Sequence, residues 1–309
     1  MQLNNRRGFL QFAAAAASVA VADQFLPAGT PAATPEKAFR LGLLVDVTDD
    51  PDKVMAEVHR HGLPTAHVIM REFRDAMAPR LRSALDRYEV EATVFISSGP
   101  GEDKYDLVDG PTTFGLVPPL YRQERIDHLK RASDFAKAVG IPAVFNQWGY
   151  IPEVPGDPWY EPTVEAVREI ARHCRGNGQM FLNETGQETP ITLLRTIQDA
   201  AVDNVAICLD AANLVLYGKG NPVDALDVLG KYVRAVHAKG GFYPTDPRYI
   251  GKQVPAFEPN KVDWPLLIRG LKKIGYDGTI VIEDVSPAAE RDHEIRGDKA
   301  YLENLIAKA

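Results

Sequence analysis

The segment Asn204–Pro222, NVAICLDAANLVLYGKGNP, decides the fold. Its apolar run Val205–Leu209 has the unbroken hydrophobicity of a strand covered on both faces, which is how strands of parallel sheets read. The run stops on a carboxylate, Asp210, and the chain then reads as a loop as far as a helix over 222–229. An aspartate at that point could cap a following helix. If other strands end the same way, it is one member of a shared site.

Working outward, the pattern repeats. Strand-like runs lie at 39–46 (FRLGLLVD), 65–70 (TAHVIM), 91–98 (EATVFISS), 142–149 (PAVFNQWG), 179–184 (QMFLNE), 233–239 (VRAVHAK) and 278–284 (GTIVIED). Helical periodicity separates them: Val54 and Val58 on one face of 51–62, then 71–88, then 122–139 with Ile126, Leu129, Phe135 and Val139 inward. A helix follows over 162–175, others are marked by Ile191, Leu194 and Ile197 and by Leu267, Leu271 and Ile274, and a charged one starts at Ala288. Long loops are expected at 99–121 and 240–260. Strict alternation of eight strands and eight helices predicts an α/β fold, a closed (β/α)8 TIM barrel in a single domain. No GxGxxG follows a strand, and GPGEDKYD at Gly99 lacks the Lys-Ser/Thr ending of a phosphate loop, so neither nucleotide fingerprint is present.

The 309 residues are 45% hydrophobic and 25% charged, an ordinary globular balance. A net charge of −7 argues against a nucleic-acid partner or an anionic membrane surface and for a small-molecule ligand. Cys174 and Cys208 are expected to be buried free thiols. The N-terminus resembles a twin-arginine export signal: Arg6 and Arg7, then Gly8, Phe9 and Leu10, an alanine-rich run, and Ala20-Val21-Ala22 as the cleavage site. The apolar run is shorter than the ~20 residues of a spanning helix. The expectation is therefore a signal peptide with a Pro/Ala linker over 1–36, the barrel over 37–309, a periplasmic or secreted product and no stable membrane anchor after processing. A homo-oligomer is compatible with this reading.

In such a barrel the C-terminal strand ends form one face, where active sites gather. Four successive strands, the fifth to the eighth, end at Glu184, Asp210, His237 and Glu283. Three carboxylates and an imidazole converging in a mostly buried mouth would repel and raise one another's pKa unless a cation lay between them. Such a donor set suits one divalent ion: Mn²⁺, Mg²⁺, Co²⁺ or Zn²⁺. Further candidates on that face are Gln147 and Trp148, whose ring could stack on a ligand or belong to the core; Glu188, for a ligand hydroxyl or as a cap of the helix near Pro190; Asn213, for a hydroxyl or as a plain loop residue; and Lys239, for a ligand oxygen or as a solvated loop lysine. His67 reads as structural, and Arg71 and Glu72 as substrate contacts or a mere ion pair.

On NETGQETP around Glu184, LDAANLVLYGKGNPVDAL around Asp210, VRAVHAKG around His237 and IGYDGTIVIED around Glu283, the chain resembles the xylose isomerase-like barrel superfamily, the sugar phosphate isomerase/epimerase group. The resemblance runs from about Phe39 to the C-terminus. It implies that Glu184, Asp210, His237 and Glu283 hold one divalent metal. It also implies that Glu184 and Glu283 exchange a proton at a carbon next to a carbonyl through a metal-stabilised enediolate. Asn213 stands where many relatives carry a histidine, and after His237, where a Lys-Asp continuation is usual, Lys239 is followed by Gly240 and Gly241. The leading expectation is an isomerase or epimerase of an unphosphorylated sugar or keto-sugar. Alternatives are β-elimination on 3-keto-glycosides, a metal-free glycoside hydrolase using Glu184 and Glu283, and a non-catalytic carbohydrate-binding barrel.

Overall fold

The computed structural model describes residues 39–309, so the signal and linker expected over 1–36 lie outside the described residues. The barrel strands are β1 (Arg40–Asp46), β2 (Thr65–Ile69), β3 (Glu91–Ile96), β4 (Ala143–Asn146), β5 (Met180–Glu184), β6 (Val205–Asp210) and β7 (Val233–Ala238). After a hairpin of β8 (Gly240–Gly241) and β9 (Gln253–Val254), β10 (Thr279–Ile282) completes them. They close into a parallel barrel in the order β1, β10, β7, β6, β5, β4, β3, β2, as the alternation predicts.

The helices are α1 (Pro51–Arg60), α2 (Ala78–Arg87), α3 (Gly110–Thr113), α4 (Arg122–Val139), α5 (Tyr160–Gly176), α6 (Pro190–Ala200), α7 (Ala211–Leu216), α8 (Pro222–Leu229), α9 (Trp264–Lys273) and α10 (Arg291–Lys308). Several open on the same device, a side-chain cap followed by proline. Asp50 accepts from the Lys53 N–H, Thr189 from Thr192 and Asn221 from Val223, with Pro51, Pro190 and Pro222 next in chain. The cap satisfies a backbone donor that the first turn leaves open, and proline gives up a donor that would have had no partner there. Among the described residues no helix is long and apolar enough to cross a membrane.

Two apolar cores follow from the two faces of the strands. Inside the barrel lie Val94, Ile96, Ala143, Phe145, Leu182, Ala206, Cys208 and Ala235, with Leu44, Ile69 and Met180 packed on them. The larger core, which includes Leu43, Val68, Phe95 and Phe181, fills the space between strands and helices. Cys174 and Cys208 are buried and free, as expected.

The differences from the sequence reading lie at the rim. The helix expected over 71–88 starts only at Ala78, after a 3-10 turn over Asp75–Met77, which frees Arg71 into the β2 loop. The loop expected after β6 begins with α7: Asp210 Oδ1 accepts from the Asn213 N–H at 2.8 Å, and this N-cap starts a helix at once. That helix fits closely because Gly186, in the β5 loop, has no side chain; a Cβ there would meet the Asn213 Cβ at 2.7 Å. The loops at 99–121 and 240–260 contain α3 and the β8–β9 hairpin. They also join one another: Asp106 pairs with Tyr249, and the Leu107 N–H donates to the Arg248 carbonyl at 3.0 Å. Their parent strands, β3 and β7, stand on opposite sides of the barrel. Tyr150, after β4, donates to the Asp106 carbonyl at 2.6 Å, and the Gly251 N–H to the Leu216 carbonyl at 2.8 Å. The two loops thus form a strap anchored over the β4 to β6 side.

Candidate metal centre

Inward positions alternate along each barrel strand, so Leu182 to Glu184, Cys208 to Asp210, Ala235 to His237 and Val281 to Glu283 each climb one tier from the apolar interior to the mouth. Ligand atoms of Glu184, Asp210, His237 and Glu283 all lie within 4.8 Å of one another. Sequence reasoning placed these residues at strand ends; β7 runs one residue past His237, and β10 stops one short of Glu283. The Glu283 N–H still donates to the Ala238 carbonyl at 3.1 Å, which holds Glu283 in register with its neighbour.

His237 stands at the centre. Its Nδ1 is 2.6 Å from Glu184 Oε1 and 3.4 Å from Glu283 Oε2, and its Nε2 is 2.9 Å from His67 Nδ1. His67 Nε2 in turn lies 3.4 Å from Thr279 Oγ1. A ring nitrogen held from behind leaves the other aimed at the carboxylates, the support that metal-ligating histidines usually have. Lys239 Nζ donates to Glu283 Oε1 at 2.6 Å and lies 2.7 Å from Asp210 Oδ2. Asp210 therefore divides its work: Oδ1 caps α7 and Oδ2 faces the site.

The electrostatics follow from crowding charge in a dry place. Burial raises the Asp210 pKa against the opposing pull of Lys239. Burial also opposes charge on Glu283, but Lys239 and His237 outweigh it and hold that carboxyl well below its usual range. Lys239 and His237 are raised for the same reason in reverse, since nearby Asp210, Glu283 and Glu184 for the lysine, and the Cys208 thiol and Glu184 for the histidine, outweigh their burial. His67, enclosed beside His237, is lowered well below an ordinary histidine by burial. The donor set fits a hard or borderline divalent cation, with Glu184, Asp210, His237 and Glu283 able to hold it.

The other candidates separate. Gln147 reaches the site: its Nε2 donates to Glu184 Oε2. Lys239 is engaged with two of the four candidate ligands, and Asn213 is buried in the first turn of α7. Trp148 is corrected: it is fully enclosed and stacks on Phe181 at 5.6 Å, because its backbone N–H is tied to Asn183 Oδ1 and its ring turns into the outer core. It offers no face to a sugar. Glu188 does not cap α6, whose N-cap is Thr189; its Oε1 accepts from Asn183 Nδ2 at 2.9 Å. Burial pushes its carboxyl up to about 8.

Three residues escaped the sequence reading. Asp46 ends β1 as Asp210 ends β6, and the same rule would have found it. It lines a cleft of about 380 Å³ that also touches Ile69, Glu283 and Asp284, on the β1, β2 and β10 side of the barrel. Tyr105 and Tyr217 stand near the centre, and the charge of Glu184 contributes to raising both phenols, behind the larger effect of burial. Neither had a sequence signal, since one lies in a long loop and the other just past a short helix.

The family model for xylose isomerase-like TIM barrels matches residues 55–305. No curated protein matches the sequence. Among solved structures, a xylose isomerase domain protein from Planctomyces limnophilus is 29% identical, with a TM-score of 0.79 over 87% of this chain and 97% of that one. A D-psicose 3-epimerase solved in the presence of D-fructose is 14% identical, with a TM-score of 0.65 over 87% of this chain and 99% of that one. A xylose isomerase-like TIM barrel protein from Mycobacterium smegmatis, in complex with magnesium, is 17% identical, with a TM-score of 0.63 over 83% of this chain and 88% of that one. With a closed eight-stranded barrel and a family match over most of its length, the chain belongs to the xylose isomerase-like TIM barrel family.

Proposed function

We propose that the protein is a divalent-metal-dependent sugar epimerase or isomerase that moves a proton at the carbon next to a carbonyl. The observation that carries this reading is the convergence of Glu184, Asp210, His237 and Glu283 at one point of the mouth. A divalent cation held by these four would supply the positive charge that polarises a substrate carbonyl and makes the adjacent C–H acidic. The D-psicose 3-epimerase and the magnesium-bound barrel of the same architecture support the reading.

The protein's own groups then divide the proton work. Glu184 and Glu283 come from β5 and β10, which are not neighbours in the barrel, and in this reading they act from different faces of the substrate carbon. One carboxylate takes the carbon-bound proton, and the other returns a proton from the opposite face; exchange with solvent resets both. Gln147 orients Glu184 through its second oxygen, and Lys239 does the same for Glu283. The strap, anchored over the β4 to β6 side, limits the approach of bulk water from that side. The substrate is an unphosphorylated sugar or keto-sugar, a reading that the Arg6-Arg7 export signal supports, because that signal would carry the barrel of 37–309 out of the cytoplasm.

The test is solvent exchange. Protein loaded with Mn²⁺ and incubated with D-fructose and D-psicose in D₂O should place deuterium on the carbon next to the carbonyl without changing the product's skeleton. Glu184→Gln and Glu283→Gln should each lower the rate by about 10²-fold or more. Release of a fragment from a keto-glycoside instead would assign elimination, and no exchange on any keto-sugar would remove the proton-transfer reading.

A further inference from the structure

The four candidate ligands occupy one half of the rim, at the ends of β5, β6, β7 and β10. A sugar bound to them must extend over the other half, where β1 to β4 end. There Arg71 lies two residues past inward-facing Ile69, and Ser98 two residues past inward-facing Ile96. With Gly99, Gly101, Asp103 and Tyr105 they line a cavity of about 160 Å³. Tyr105 lines this cavity, and its phenol, raised first by burial and by Asp103, is also within reach of the charges of Glu184, Arg71 and Glu283.

The cavity's charges are unbalanced in one direction. Asp103 is already engaged: its Oδ1 is held by Arg125 Nη2 at 3.0 Å. Arg125 is fully buried and spends its remaining donors on the carbonyls of Pro100, Glu102, Thr113 and Gly115. Arg71 is exposed and makes no hydrogen bond or ion pair among the described residues, although its charge reaches Asp103 and Tyr105. One guanidinium with its planar fork free, beside the Ser98 and Tyr105 hydroxyls, is a receptor for a planar anion of single charge. No second unpaired cation lines the cavity to match a phosphate dianion.

We propose that this cavity is a subsite for a carboxylate at the far end of the substrate, with Arg71 as its binding residue, so that the preferred substrate is a keto-sugar acid. The proposal rests on the epimerase reading above and narrows its substrate class.

Three probes with one carbon skeleton separate the outcomes: D-fructose, neutral at C6; D-fructuronate, with a carboxylate there; and D-fructose 6-phosphate. Calorimetric titration of each into Mn²⁺-loaded wild-type and Arg71→Met protein, with a separate Mn²⁺ titration, reads the subsite directly. D-Fructuronate should bind wild type about tenfold or more tightly than D-fructose, as charge-assisted hydrogen bonds allow. Arg71→Met should erase that preference and leave Mn²⁺ affinity unchanged. Equal binding of D-fructose and D-fructuronate, or a preference that survives in Arg71→Met, would overturn the subsite while the epimerase reading stood on its D₂O exchange. Tighter binding of D-fructose 6-phosphate would assign the cavity to phosphate and overturn the proposal. No binding of any probe by metal-loaded protein, together with no D₂O exchange, would remove both readings.

Discussion

At the residue scale the site shows how one side chain can satisfy two demands. Asp210 looked from the sequence like either a helix cap or a ligand, and it is placed for both, one oxygen for each. Glu184, Asp210, His237 and Glu283 were legible because a charge at the end of an apolar run is conspicuous. Trp148 was not, because nothing in PAVFNQWG tells which way a ring turns once its backbone N–H is bound to Asn183. Glu188 offers a separable test. Its carboxyl is pushed up to about 8 by burial, whereas an unfolded glutamate titrates near 4.5. Between those values the folded chain keeps a proton that the unfolded chain releases, so stability is full below about 4.5 and falls as pH rises towards 8. Glu188→Gln keeps an acceptor for Asn183 and removes the titration. Denaturant unfolding should show the variant gaining relative to wild type by about 1 to 3 kcal/mol at pH 8 and little at pH 5. An equal difference at both pH values would show that Glu188 is not the titrating group.

At the element scale, the regular parts follow from local rules and the rim does not. Capping residues and prolines mark where α1, α6 and α8 begin. The strap is different in kind, because residues 106 and 249 are brought together only when β3 and β7 are fixed across the barrel. Gly251 is an anchor of the strap: a Cβ there would stand 1.7 Å from the Phe242 carbonyl oxygen, and its N–H donates to the Leu216 carbonyl. Gly251→Ala should therefore release the strap at a cost of about 1 to 3 kcal/mol. Hydrogen exchange should quicken at the Leu107 amide, whose acceptor is Arg248, while amides of the barrel strands stay protected. Faster exchange throughout the barrel would show that the strap and barrel unfold as one unit.

At the scale of the whole molecule, the site stores a conflict that ligand binding can relieve. Three carboxylates share a buried mouth with Lys239 and His237 as their counter-charges. Binding of a divalent ion to the folded state alone adds about 2.7 kcal/mol when the ion is at 100 times its Kd. Mn²⁺ should accordingly raise the thermal midpoint by several degrees, and a chelator should reverse the gain. Asp210→Ala should abolish the response. It should also lower the midpoint without metal, since the α7 cap and the partner of Lys239 are lost together. A metal-induced rise that persists in Asp210→Ala would place the ion elsewhere.

By itself the sequence determined the barrel, the order of its eight strands with the helices between them, and the four residues at its mouth. Those features depend on periodicity along the chain, and the tier rule turns strand ends into neighbours without further information. Only the tertiary structure decided the strap, the support of His237 by His67, the turning of Trp148 into the core and the unpaired Arg71 in its cavity. Each of these depends on contacts between segments far apart in the chain, and no local pattern encodes which distant partner a side chain or loop will meet.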